Sequence, residues 1–201
     1  LRLMVHAPDG TMVSAFDPLH GERVHLVVVR EGLDHFAHVH PAVGPGGHLS
    51  VTHTFPAGGR YRLFADYQPA GGRPATAAAW LTVAGDAPPA TALTPDVPGE
   101  VMGGGLRATV TLPAAAPGGA ARIGFALRDA AGRPVADLEP YMGELGHLVL
   151  VSADAARYVH VHPAGGDRAA GAVAFDAHFP AAGVYKGWAK FRRGGAVSTV
   201  P

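Results

Sequence analysis

The chain has 201 residues, 48% of them hydrophobic, and its 16 basic and 16 acidic side chains give a formal net charge of zero with histidine neutral. That length buries one large core or two modest ones, and that hydrophobic content excludes a disordered chain. The even charge, with no basic run beyond Arg192-Arg193, gives no footprint for nucleic acid, and no apolar stretch is long enough for a transmembrane helix.

The 28 glycines and 18 prolines interrupt long helices and suit short strands joined by turns. In chain order, strands are predicted at 1–6, 24–30, 36–40, 48–55, 60–67 and 76–83. The proline-rich, aperiodic segment 85–99 then reads as a linker. Further strands are predicted at 106–112, 122–128, 146–152, 157–161, 172–179, 184–191 and 196–200. No segment of more than ten residues holds a convincing helical period. The expected fold is all-β, with two tandem immunoglobulin-like sandwiches over 1–84 and 100–201; a small barrel is the competing architecture. The aromatic residues at 55, 61, 64, 80, 179, 185, 188 and 191 are expected in the cores.

The two halves are copies. Shifted by 122 positions, DPLHGERVHLVVVREGLDHFAHVHP (17–41) meets EPYMGELGHLVLVSADAARYVHVHP (139–163) without a gap. After a two-residue gap, Phe55–Tyr61 meets Phe179–Tyr185, Phe64 meets Trp188 and Tyr67 meets Phe191. Repeated turns and aromatics imply repeated architecture. The strand at 106–112 has no counterpart in the first copy, which is expected either to lack its opening strand or to take one from elsewhere.

Twelve histidines are the compositional anomaly. Each copy carries a His-x-His pair, His38/His40 and His160/His162. Alternation along a strand aims both rings of a pair to one face, about 7 Å apart along the chain. A third histidine precedes each pair by 13 residues, His25 and His147. A hairpin turning over Glu31–Asp34 sets His25 beside His40, whereas a one-residue slip would turn it to the other face. His20 in the first copy corresponds to Met142 in the second. Both side chains bind soft copper, and thioether is a poor ligand for zinc. The candidate ligand sets are therefore His20, His25, His38 and His40, and Met142, His147, His160 and His162, with copper as the ion and zinc as the alternative. His53 and His178 flank the Phe-Pro turn, offset by one position between the copies.

The competing reading has the same imidazoles hydrogen-bonded to Glu22 and Glu144, or to backbone carbonyls, in a non-enzymatic structural or protein-interaction module. A metal-dependent hydrolase or oxidase, with Glu22 as base, is a third reading. The His-x-His start of a cupin lacks its later glutamate here, and no nucleophile elbow, zincin helix, P-loop or dinucleotide fingerprint appears. The absence of cysteine removes disulfides, thiolate sites and a blue-copper centre. No catalytic residue is assigned, and binding is expected in place of catalysis.

The segment DLEPYMGELGHLVLVSADAARYVHVHP, with FPAAGVYKGWAKF after it, resembles bacterial secreted or membrane-anchored β-sandwich modules of the YtkA-like and CopC-like kind. LHGERVHLVVVREGLDHFAHVHP carries the same frame. The resemblance implies an immunoglobulin-like fold, an extracytoplasmic setting, heavy-metal handling, and a partner that delivers or receives the metal. It points to His25, His38 and His40 and to His147, His160 and His162. The mature N-terminal histidine ligand of CopC-like modules has no counterpart at Leu1.

Overall fold

A computed structural model describes residues 1–89, 91–95, 99–112 and 119–201; of the linker expected at 85–99, residues 90 and 96–98 lie outside the described residues. The backbone divides into two compact units, Leu1–Ala92 and Leu93–Pro201. Both are all-β with antiparallel pairing throughout. Among the described residues no helix is long and apolar enough to cross a membrane.

The first unit contains β1 (Arg2–Leu3), β2 (Phe16–Asp17), β3 (Val24–Arg30), β4 (Phe36–Val39), β5 (Ala42–Val43), β6 (Leu49–Ser50), β7 (Gly59–Pro69) and β8 (Ala75–Val83). One sheet runs β1-β6-β5. The other runs β4-β3-β7-β8, with β2 joined to the end of β7. Strand β3, VHLVVVR, is rich in β-branched residues and buried along its whole length, as expected for a central strand. Alternate residues Val24, Leu26 and Val28 enter the core with Leu49, Tyr61 and Leu63, while His25, Val27 and Val29 point to the other face.

The second unit contains β9 (Glu100–Gly103), β10 (Leu106–Thr111), β11 (Ala120–Arg128), β12 (His147–Ser152), β13 (Tyr158–Val161), β14 (Pro163–Gly165), β15 (Ala172–His178), β16 (Tyr185–Arg193) and β17 (Ala196–Val200). A five-stranded sheet, β14-β15-β11-β10-β9, packs on a four-stranded one, β13-β12-β16-β17. Phe125 and Phe175 from the first sheet meet Phe191 from the second edge-on or tilted, with ring centroids 5.7 and 6.4 Å away, so the core forms between the sheets. The arrangement is sandwich-like in both units.

The duplication holds in three dimensions. Arg2 lies opposite Ser50 as Gly124 lies opposite Ala174, and Tyr61 Oη donates to the Ala57 carbonyl as Tyr185 Oη donates to that of Ala181. In the second unit β10 pairs with β11, whereas in the first unit β1, the counterpart of β11, pairs with β6 alone among the described residues. Several features depart from the sequence reading, the short strands β2, β5 and β14 among them, where none was predicted. The strands expected at 1–6 and 48–55 shrink to two residues each, because β1 and β6 find only two mutual pairs. Strand β9 arises where none was predicted, folded onto β10 by the Gly104–Gly105 turn, whose φ values of 57° and 79° glycine adopts freely. Trp80 is 39% exposed on β8, outside the core, with the Arg60 and Arg62 guanidinium groups over its ring at 4.3 and 5.1 Å.

Candidate metal centre

The β3–β4 hairpin turns over Glu31–Asp34. Arg30 N–H donates to the His35 carbonyl, Leu33 N–H donates to that of Arg30, and Arg30 forms an ion pair with Asp34. This sets the register: Val27 lies opposite His38 and Leu26 opposite Val39. His38 therefore shares the face of Val27 and His25, and continuing the register by one pair brings His40 opposite His25. In the second unit, Leu148 opposite Val161 gives the same result for His147 and His162. The slipped register, with His25 turned away, does not occur.

Three imidazoles converge in each unit. One ring nitrogen from each of His25, His38 and His40 lies within 4.8 Å of the others, and the same holds for His147, His160 and His162. Ring centroids within the first trio are 5.0 to 5.4 Å apart and within the second 4.8 to 5.5 Å. His25 and His147 are fully buried, His38 is 6% exposed, and His40, His160 and His162 are half-buried. Three nitrogen donors at such spacing fit one ion with bonds of about 2.0–2.1 Å after small rotations of the rings.

A backbone carbonyl fixes one ring in each trio. His25 Nε2–H donates to the Leu19 carbonyl at 2.7 Å, and His147 Nε2–H donates to that of Tyr141 at 2.9 Å. A carbonyl can only accept, so Nε2 carries a proton, and in the neutral ring the lone pair is on Nδ1. Nδ1 of His25 faces His38 Nε2 at 3.2 Å. Such an outer hydrogen bond sets the tautomer of a ligating histidine and raises its basicity. The partner is a carbonyl, not the Glu22 or Glu144 side chain considered from sequence.

That carbonyl is presented by a two-residue turn. Leu19 and Glu22 exchange backbone hydrogen bonds around His20 (φ 51°) and Gly21 (φ 85°), and Tyr141 and Glu144 do so around Met142 (φ 55°) and Gly143 (φ 83°). Positive φ at both central positions defines a type I′ turn, in which a non-glycine residue costs about 1 kcal/mol or more. His20 is exposed, its ring centroid 6.3 Å from that of His25 and outside the converging trio. Met142 is half-buried at the same turn position. The Leu19 and Tyr141 carbonyls were not singled out from sequence; the glycine that follows His20 and Met142 was the available turn signal.

The residues opposite the two innermost histidines differ between the units. His25 faces Asp66 on β7, and His147 faces Lys190 on β16. Asp66 Oδ1 accepts a hydrogen bond from Thr76 Oγ1 at 2.6 Å. Burial pushes the Lys190 ammonium down to about 8, and its Nζ lies 5.6 Å from the centre of the Tyr141 ring.

The remaining histidines lie apart from the trios. His178 is exposed at the end of β15. His53 meets His35, Nε2 to Nε2 at 3.3 Å, with Phe55 and Tyr61 against the two rings, on the face of the β3–β4 hairpin away from the trio. Burial first, then the neighbouring His53 and Arg30, holds His35 below its usual 6.5. Burial lowers His53 as well. The unfolded chain therefore takes up more protons than the folded one as pH drops through 6.5, and folding stability falls with acidification. His53→Gln should weaken this dependence. Urea midpoints at about pH 7 and about pH 5 would check it, and an unchanged difference between them would refute it.

Fold and site together define a duplicated all-β protein with one three-histidine cluster per unit, each able to coordinate a metal ion. The chain belongs to the family described as a domain of unknown function, DUF8832, whose model matches residues 1–85 and 100–201. No curated protein and no solved structure matches it.

Proposed function

We propose that this chain is a two-centre metal-binding protein that carries, stores or buffers copper and performs no catalysis of its own. The observation carrying this reading is the geometry of the trios: three ring nitrogens within 4.8 Å in each unit, one ring held in the ligating tautomer by a backbone carbonyl. Neutral imidazoles suit copper and zinc and do not suit calcium or magnesium. The pairing of His20 with Met142 at one turn position favours copper, with either side chain as the candidate fourth ligand. An immunoglobulin-like topology agrees with the repeated tyrosine whose hydroxyl returns to a carbonyl four residues upstream. An extracytoplasmic setting and a partner that donates or accepts the ion complete the proposal; both rest on resemblance to the YtkA-like and CopC-like modules.

One observation favours the second reading, a purely structural network: His25 Nδ1 and His38 Nε2 are close enough to hydrogen-bond directly. Titration of metal-free protein with Cu(I), Cu(II) and Zn(II) separates the two. The metal reading expects two equivalents of copper per chain, with affinity falling in acid as protons compete for the imidazole nitrogens. Absence of a site for all three ions would leave the network reading in place.

A further inference from the structure

The duplication supplies an internal comparison: one frame, two centres, and a charge inversion beside them. Each trio consists of neutral ligands, so neighbouring charges decide how readily it takes a cation. Directly opposite residues on antiparallel strands share a face, with Cβ atoms about 4.5–5.5 Å apart. By that rule Asp66 stands beside His25, and Lys190 beside His147. The next strand carries threonine opposite each, Thr76 facing Asp66 and Thr199 facing Lys190, so the exchange of acid for base occurs between matching cross-strand neighbours. Asp66 is only 8% exposed and Lys190 is half-buried, which limits screening by solvent and salt. Neither residue belongs to the converging nitrogens.

We infer that the two centres are graded: the His25/His38/His40 centre takes a divalent cation ahead of the His147/His160/His162 centre, because Asp66 attracts the ion where Lys190 repels it. The inference rests on the metal-binding reading above. A dication meets a carboxylate in one unit and an ammonium in the other. At such separations the two effects together amount to about a 10-fold difference in affinity or more, even at the effective dielectric of a protein surface. The first unit fills first when a divalent ion is scarce, and the second fills only at higher free metal.

The test uses the full chain with one centre disabled at a time. His160→Asn with His162→Asn leaves the first centre, and His38→Asn with His40→Asn leaves the second. Zn(II) and Co(II) are titrated at one neutral pH against a competing chelator, with circular dichroism confirming the fold. The first centre should bind either ion about 10-fold tighter or more. Asp66→Asn keeps an acceptor for Thr76 and should weaken the first centre, while Lys190→Gln should strengthen the second, so that the two affinities approach each other. Equal affinities in the parent single-centre proteins, or a gap that neither substitution narrows, would overturn the grading and leave metal binding intact. No uptake at either centre would remove both.

Discussion

His160→Asn and His162→Asn together should reduce the metal content of the saturated chain from two equivalents to one. Each substitution removes an imidazole whose nitrogen lies within 4.8 Å of His147 and of the other ring. His147 alone cannot retain the ion against water and buffer. The loss at that centre should exceed the roughly 10- to 100-fold that follows removal of an outer orienting partner. The first centre should bind as before, because its three histidines come from β3, β4 and the residue after β4. Asparagine keeps a polar side chain at half-buried positions, so the fold should persist. Inductively coupled plasma analysis after dialysis reads the stoichiometry. Two equivalents retained by this variant would mean that the second trio is not a site.

Phe175→Ala should cost about 3–5 kcal/mol of stability in the second unit. The ring is fully buried on β15 and forms a three-ring cluster with Phe125 at 5.6 Å in its own sheet and Phe191 at 6.4 Å in the facing one. Its removal leaves a cavity beside the Phe125–Phe191 contact that the sheets, fixed by their hydrogen-bond ladders, cannot close. Trp188, 5% exposed on β16, reports on this unit, and Trp80→Phe removes the competing fluorescence of the first. Guanidinium denaturation of the double variant against Trp80→Phe alone measures the loss. A midpoint displaced by an amount worth less than about 1 kcal/mol would show that the space is refilled and that the core is looser than described.

Much of this was legible in the sequence because the repeat and the two-residue strand period are strong signals. The His-x-His spacing put two rings on one face, whereas the place of His25 hung on a register that only the β3–β4 pairing decides. The burial of Tyr61, Phe64, Trp188 and Phe191 followed from hydrophobicity and repetition. What escaped depended on lateral context. Trp80 is aromatic and lies on a strand, yet β8 is an edge strand, and two arginines offer its ring a surface position. Strand β9 hides in a short glycine-rich stretch whose hairpin turn is legible only once Gly104 and Gly105 are taken as its two central residues. The carbonyls that fix His25 and His147 carry no side-chain signature at all. The exchange of Asp66 for Lys190 was within reach, since the alignment that pairs Phe64 with Trp188 also pairs these two; its importance emerged only when the β3–β7 and β12–β16 registers set them opposite the innermost histidines.

In the proposed metal-binding protein three ring nitrogens of each unit converge on one ion, with His25 and His147 ligating through Nδ1. Long-range nitrogen–proton correlation spectra of the imidazoles, recorded without metal and with a diamagnetic ion, Zn(II) or Cu(I), test it most directly. Nδ1 of His25 and His147 should shift on metal addition while their Nε2 nitrogens keep their protons, and one nitrogen of each of the other four trio histidines should shift with them. Imidazole spectra unchanged by either ion, or Nε2 of His25 and His147 losing its proton to the metal, would contradict it.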